Sequence, residues 1–533
     1  MLGALLRIFV PWRFVPQVMT FLLLAATGLA TRALARQRFN PSVATLAGCV
    51  ALFSGYSLFT AYERSAFAEM TGGFWVPLML MLILRDSAAT EKLRAPSFPL
   101  LSAEKVGGHE PRPAFATIIA GLDRATLLLG LVVAGAWLSN APLGVMLSYL
   151  LAGISLVLAF LDRSWVPILR AAVAAVLGLG LSAFFWIPAA WEQHWVAIRQ
   201  AVDDPGLLIE NSWLFARHPD PRLELHDVEL LRVSMIAVTM VAVAITGACV
   251  SWWRRTLPAD RRWWMPLALI PVAVFFLQLP ASDFLWNALP KMRFLQFPWR
   301  WLVVLEAPMA IFFAAALWTG GRIWRTFVTA LCCAAFATAT LFSVVSLFQV
   351  CDQDDEVNGI LRDYHAGLGV QGTDEYAPPG ADNSLVPTGL PLACLVSDPG
   401  KKLGAGDPDM TPEWSSDQGS CDAVYAQADG FPLHVRLNAA TSHAGYLVLR
   451  LRTYPAWRVR VNGQPVHAMP AREDGLMAVP VPQGQLNLAV DWITTRDVLI
   501  GRIVSAVALA LTIPIVLLDL RRGRARKPRA RLS

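Results

Sequence analysis

The sequence predicts an α-helical polytopic membrane protein, with about eleven transmembrane helices and a C-terminal extracytoplasmic β-sandwich domain. Three observations carry that expectation. The 533 residues are 55% hydrophobic and 16% charged, with a mean hydropathy of +0.48, whereas a soluble globular domain is about a quarter charged. Apolar runs close to the ~20 residues that cross a bilayer as a helix recur along the chain. From about residue 431 the pattern changes to alternation of apolar and polar residues, the period of a half-buried strand.

The apolar runs are 14–34, 42–61, 71–84, 116–138, 142–161, 166–190, 232–252, 263–280, 299–319, 326–348 and 498–518. Lys and Arg set their orientation. Under strict alternation one side receives Arg32, Arg36 and Arg38, the Pro- and Gly-rich connector 85–114, Arg163, Arg254–Arg262, Arg322 and Arg325, and a basic tail from Arg521 to Arg531. That side is expected to be cytoplasmic. The other side receives 62–70, 139–141, 191–231, 281–298 and 349–497. The expected organisation is a transmembrane domain 1–348, an outer domain 349–497 (irregular over 349–430, strands over 431–492), a last span 498–518 and a cytoplasmic tail 519–533. Alternation puts Met1 outside with no signal peptide ahead of it, so a leading helix is expected to be missing from the chain. The formal charge of +6 sits in short loops and the tail. It reads as a topology anchor and then as contact with membrane lipids, not as a nucleic-acid interface.

Two stretches carry charge where a membrane protein ordinarily avoids it. Tyr62–Met70 sets Glu63, Arg64 and Glu69 between apolar runs, where ionisable groups are costly unless they face water, protein or a ligand. Segment 281–301 places Asp283, Lys291, Arg293 and Arg300 among aromatics that include Trp299, on the side where cations are not expected. A bound phosphate accounts for such arginines; cations snorkelling to lipid phosphates account for them equally well. Glu306 lies deeper, within an apolar run, and an intramembrane carboxylate is a functional candidate or a cation's partner. The His- and carboxylate-rich loop 191–231 can ligate a divalent cation, but it lacks compact ligand spacing and reads first as a solvated loop. No cofactor is expected. Walker, dinucleotide, His-Glu-x-x-His and Gly-x-Ser-x-Gly motifs are absent, which weakens ATP-driven, metalloprotease and common hydrolase readings.

In the outer domain, Leu433, Val435 and Leu437, then 446–451 and 457–461, alternate as strands. Asn462-Gly463 suits a tight hairpin turn, and further strands are expected over 476–481 and 486–492. Cys49, Cys249, Cys332 and Cys333 read as small core residues. Cys351, Cys394 and Cys421 lie where oxidation is permitted; a Cys394–Cys421 bridge would leave Cys351 over, and the pairing stays open.

Several stretches together resemble a bacterial family of polytopic membrane proteins, the pyruvoyl-tetrahydropterin synthase-related and YfhO-like type, with a glycosyltransferase-C-like (GT-C-like) architecture. The stretches are Tyr62–Glu69, Trp137–Pro142, Ala183–Pro188, Gln296–Arg300, Gly372–Pro378 and Tyr454–Trp457 leading into Val461–Gly463. The resemblance implies transfer of a sugar from a polyprenyl-phosphate carrier to a cell-envelope glycan or glycolipid acceptor at the outer face of the inner membrane. Enzymes of this architecture keep a catalytic Asp or Glu in the first outer loop, and the resemblance implies that this chain is expected to begin after that loop. Glu63 or Glu69 is then the expected carboxylate. Arg64, Arg293 and Arg300, with Trp299 and Glu306, are expected to bind substrate. The alternative expectation is a non-catalytic component of polysaccharide assembly or export with a glycan-binding β-domain.

Overall fold

The computed structural model describes residues 2–85, 124–203, 205–318, 321–346, 357–365, 374–382, 392–397, 399, 422–423 and 433–525. The chain divides into two compact units. The first comprises Met1–Trp186, Pro205–Val350 and Arg502–Ser533, and the second Ile187–Asp204 and Cys351–Gly501.

Among the described residues six helices are long and apolar enough to cross a membrane: Trp12–Ala35, Pro41–Tyr62, Ala141–Asp162, Pro221–Trp253, Pro298–Leu317 and Arg322–Ser346. Two bent pairs, Val166–Leu181 with Ala183–Trp195 and Arg261–Leu277 with Pro280–Ala288, turn by 75° and 100°. Counting each pair as one span gives eight. At the first break the Ser182 hydroxyl bonds back to Gly178 O at 2.9 Å, a contact that favours a bend. At the second, Pro280 disfavours helix at the residue before it, and Leu279 is extended there, with φ −101° and ψ 147°. The expectation of eleven spans also took in 71–84, 116–138 and 498–518. Phe67–Ile83 and Arg124–Ser139 are helical but shorter than a span, and the start of the 116–138 run lies outside the described residues. The final helix, Arg496–Ala525, stands outside this count. Among the described residues the structure supports six to eight apolar helices able to span a membrane, and they make this a membrane-embedded protein.

The first unit is built around the helix Leu302–Leu317. It is apolar on every face, and nearly all its residues are buried, as an all-round hydrophobic helix must be. It packs against Pro41–Leu52, Gly72–Ile83, Glu224–Trp253 and Arg261–Leu277. The approach to Glu224–Trp253 is close: a Cβ on Gly247 would lie 2.9 Å from the Phe312 backbone carbon. Within lipid such backbone-level packing does what apolar burial does in water. The helix Arg322–Ser346 shows the opposite character, with Ile323, Phe327, Leu331, Phe342 and Val345 exposed.

The second unit contains two four-stranded antiparallel sheets. In one the order is β2 (Asp422–Ala423), β1 (Ala393–Val396), β4 (Gly445–Arg452), β7 (Leu476–Val481). In the other it is β3 (His434–Thr441), β8 (Gly484–Trp492), β5 (Trp457–Val461), β6 (Gln464–Val466). Alternate residues of both sheets, such as Leu437, Val459 and Leu488 of one and Leu447, Met477 and Val479 of the other, form one apolar core. The expected turn is present: Asn462 and Gly463 take φ of 50° and 80°, the left-handed pair that a two-residue hairpin of this hand requires. Strand β1 arises in a stretch expected to be irregular. Its four residues Ala-Cys-Leu-Val are all buried, so it shows no alternation for a periodicity reading to find. Cys394 is disulfide-bonded; Cys351 and Cys421 lie outside the described residues.

Candidate functional site

The helix Gly55–Tyr62 begins at Ser54, whose hydroxyl accepts from Ser57 N at 3.0 Å, a standard N-cap. Beyond Tyr62 the chain reverses through Ser65, held at φ 47°, a left-handed conformation unusual for a non-glycine residue. The reversal leads into the short helix Phe67–Met70 and buries Glu69, which is 4% exposed.

Three groups converge on that carboxylate. The Tyr56 hydroxyl donates to Oε1. One Arg64 nitrogen reaches both oxygens, at 3.1 and 2.9 Å. Arg300 Nε lies 3.5 Å from Oε2. Arg300 is delivered by a second unusual turn. Gln296 has φ 61° and ψ −50°, and Phe297 N bonds to Leu295 O at 2.6 Å, the geometry of a γ-turn with positive φ. Arg300 closes the same turn by donating to Leu295 O at 2.9 Å. Phe297 stacks on Trp299, with ring centres 4.3 Å apart at 9°. The Arg64 and Arg300 guanidinium carbons lie 5.7 and 5.2 Å from the Phe297 ring centre, within cation–π range.

The charges in this cluster balance. Arg64 and Arg300 face Glu69, and Glu229 lies 3.8 Å from Arg64. Burial works against the Arg64 cation, but Glu69, Tyr56 and Glu229 outweigh it and leave its pKa raised. Two buried donors of the cluster, Arg300 Nε and Trp299 Nε1, make no hydrogen bond. Glu63 belongs to an adjacent pair, 2.8 Å from Arg232, and its second oxygen is buried without a hydrogen bond.

Glu306, on the central helix and 2% exposed, accepts from Ser54 Oγ and Ser57 Oγ at 2.5 Å each. With Glu69, Tyr56, Thr27 and Thr60 it borders a cavity of about 10 Å³, room for about one water. Gly73 lies against two of its lining residues: a Cβ there would stand 2.3 Å from Thr27 Oγ1 and 3.2 Å from Glu306 Oε2.

Of the residues singled out from sequence, Arg64, Glu69, Trp299 and Arg300 thus share one cluster, and Glu306 borders the cavity beside Glu69. Arg293 is placed elsewhere, bonded to Glu210 at 2.6 Å and Asn287 at 2.5 Å. Sequence reading missed Tyr56, Phe297 and Glu229. Tyr56 is one hydroxyl within an apolar run and Phe297 one aromatic among many. Glu229 was assigned to a loop, whereas the helix already begins at Glu224. Several of the loop carboxylates and histidines are spent on protein partners. His218 meets Asp227 at 2.6 Å, His226 meets Asn211 O at 3.1 Å and Asp220 meets Arg222 at 2.7 Å. Among the described residues no three His, Cys, Asp or Glu side chains are grouped to hold a metal ion.

Chemically, the cluster offers paired guanidinium groups, an aromatic face and carboxylates at helix ends, all within the first unit. Compared with known proteins, the chain matches no family model, no curated protein and no solved structure.

Proposed function

We propose that this protein is a GT-C-like glycosyltransferase of the bacterial inner membrane. It takes a sugar from a polyprenyl-phosphate carrier and places it on a cell-envelope glycan at the outer face, the side that also receives the two sheets as a β-sandwich domain. The observation that supports the reading is the convergence of Arg64 and Arg300 on Glu69 beside the Phe297–Trp299 stack, with Arg300 Nε in ion-pair range of Glu69 but in no hydrogen bond. Guanidinium groups in this setting match phosphate oxygens.

In the proposed reaction an acceptor hydroxyl attacks the anomeric carbon, the bond from that carbon to the carrier phosphate breaks, and the polyprenyl phosphate leaves as an anion. Arg64 and Arg300 stabilise the leaving phosphate. Glu69 holds the two cations in register until that phosphate arrives. Glu63, with one oxygen unbonded, takes the acceptor proton. Arg293 contributes by anchoring its own loop through Glu210 and Asn287.

A second reading is favoured by one feature. Glu69 is already engaged by Tyr56, Arg64 and Arg300 and borders only a very small cavity, as in a structural ion network. On that reading the chain is a non-catalytic component of polysaccharide assembly. The test is sugar transfer from polyprenyl-phosphate sugars in membranes carrying the protein. Transfer is expected, and Arg64→Ala or Arg300→Ala should lower it at least about tenfold. Full transfer by both variants removes these arginines from the reaction, and no transfer by the wild type favours the second reading.

A further inference from the structure

We infer that a groove within the second unit is a binding site for an acidic saccharide. The groove holds about 870 Å³ and is lined by Trp195, Tyr454, Trp457, Arg458, Arg460 and His467, among others. That volume falls in the range of sites for small molecules and short oligomers.

Its floor is strand β5. Val459 and Val461 point into the core while Arg458 and Arg460 are exposed on the opposite face, as the period of a strand requires. Two guanidinium groups therefore stand on one face, with their Cα atoms about 6.5 Å apart. Neither makes a hydrogen bond or ion pair among the described residues. The carboxylate across the ladder from Arg458, Asp491, is already taken by His434 at 2.9 Å and Arg436 at 2.5 Å. Among the described residues the positive charge of β5 thus has no hydrogen-bonded counterpart.

The aromatic residues that line the groove are held in place before any ligand arrives, and Trp457, which alternates with the two arginines on β5, packs against the apolar core. Trp457 donates to Arg452 O at 3.1 Å and meets Trp492 edge-on, 4.7 Å away at 85°. Tyr454 donates its hydroxyl to Tyr376 O. Trp195 stands edge-on to His194 at 5.9 Å. The β5–β6 turn beside the groove is pinned by Asn462 N to Asn487 O and Asn487 N to Asn462 Oδ1, both 2.8 Å.

Fixed ring faces suit the C–H faces of a pyranose, which pack on aromatics while the hydroxyls turn to polar neighbours. The arginine pair suits carboxylates or phosphates repeated along a chain. A neutral sugar would use only the rings, and an acidic peptide only the cations; an acidic saccharide uses both. This inference rests on the second unit alone and is independent of sugar transfer.

The experiment is titration of the full chain, in nanodiscs of zwitterionic lipid, with tetragalacturonate, maltotetraose and tetraglutamate, read by calorimetry and tryptophan fluorescence. Tetragalacturonate should bind and change the fluorescence. Arg458→Gln with Arg460→Gln, both exposed and outside the core, should weaken it at least about tenfold. His467→Ala, on the groove edge, should weaken it less. An acidic saccharide carrying phosphate in place of carboxylate should compete, which identifies the shared anionic chemistry. The proposal fails if tetragalacturonate does not bind, if the double variant binds it as the wild type does, or if maltotetraose or tetraglutamate binds equally well. No polyprenyl carrier is present, so none of these outcomes bears on the transferase reading.

Discussion

Glu69 neutralises two buried cations, and its removal should be felt more than that of any single partner. Glu69→Ala leaves Arg64 and Arg300 without their shared carboxylate, and breaking a buried pair in this way typically destabilises by about 3–5 kcal/mol. The thermal midpoint of the purified protein in detergent should fall clearly, and Tyr56→Phe, which removes one hydrogen bond to the same carboxylate, should lower it less. An unchanged midpoint in Glu69→Ala would mean that the ion network does not hold the fold. Glu306 is a gentler case. Glu306→Gln keeps an acceptor for Ser54 and Ser57 and should be nearly neutral. Glu306→Leu leaves both hydroxyls to find other partners and should destabilise by about 1–3 kcal/mol; equal midpoints for the two variants would contradict this. At this scale the sequence announces the charged members, because a carboxylate or guanidinium between apolar runs has few neutral explanations. It does not announce Tyr56 or Phe297, whose types are ordinary in a membrane helix and which acquire a role only through the Ser65 and Gln296 turns.

The helices meet through small residues, and the sheets through a register that the alternation largely dictates. Gly73→Val would push a side chain into Thr27 and toward Glu306, and it should separate Gly72–Ile83 from Val15–Ala35. Loss of a monodisperse peak in detergent chromatography is the expected sign, and a wild-type profile would contradict the close approach. In the second sheet, the Asp491 carboxyl is held below the usual carboxylate range, first by His434 and then by Arg436. A depressed folded-state value means that the contact contributes above the unfolded pKa and is lost as pH falls through the folded one. The difference in thermal midpoint between wild type and Asp491→Asn should therefore be present at neutral pH and shrink below about pH 4. A difference independent of pH would assign the contact no electrostatic part. Most strands after residue 431 were readable from alternation and from Asn462-Gly463. Strand β1 was not, since burial on both faces erases the period. Helix starts were read late where charged residues such as Glu224 and Glu229 open a helix ahead of its apolar run.

For the whole molecule, composition alone indicates membrane embedding, but the number of spans depends on bends that composition does not encode. The 75° and 100° breaks turn two apolar runs into bent pairs, and a hydropathy reading counts each as straight. Arginine distribution sets the orientation adopted in the proposed function. A cysteine placed at Gln464, on the exposed β5–β6 hairpin, should react with an impermeant maleimide added to intact spheroplasts. One placed at Arg163 should react only after permeabilisation, and the reverse pattern would invert the topology. The most direct measurement is retention of polyprenyl phosphate by the purified full chain, followed by native mass spectrometry. Arg64→Lys with Arg300→Lys keeps the charges facing Glu69 but removes the paired donors that match phosphate. If Arg64 and Arg300 receive the carrier phosphate, the wild type holds one carrier and the double variant loses at least about tenfold in affinity; equal occupancy in the two proteins, or none in the wild type, would contradict it.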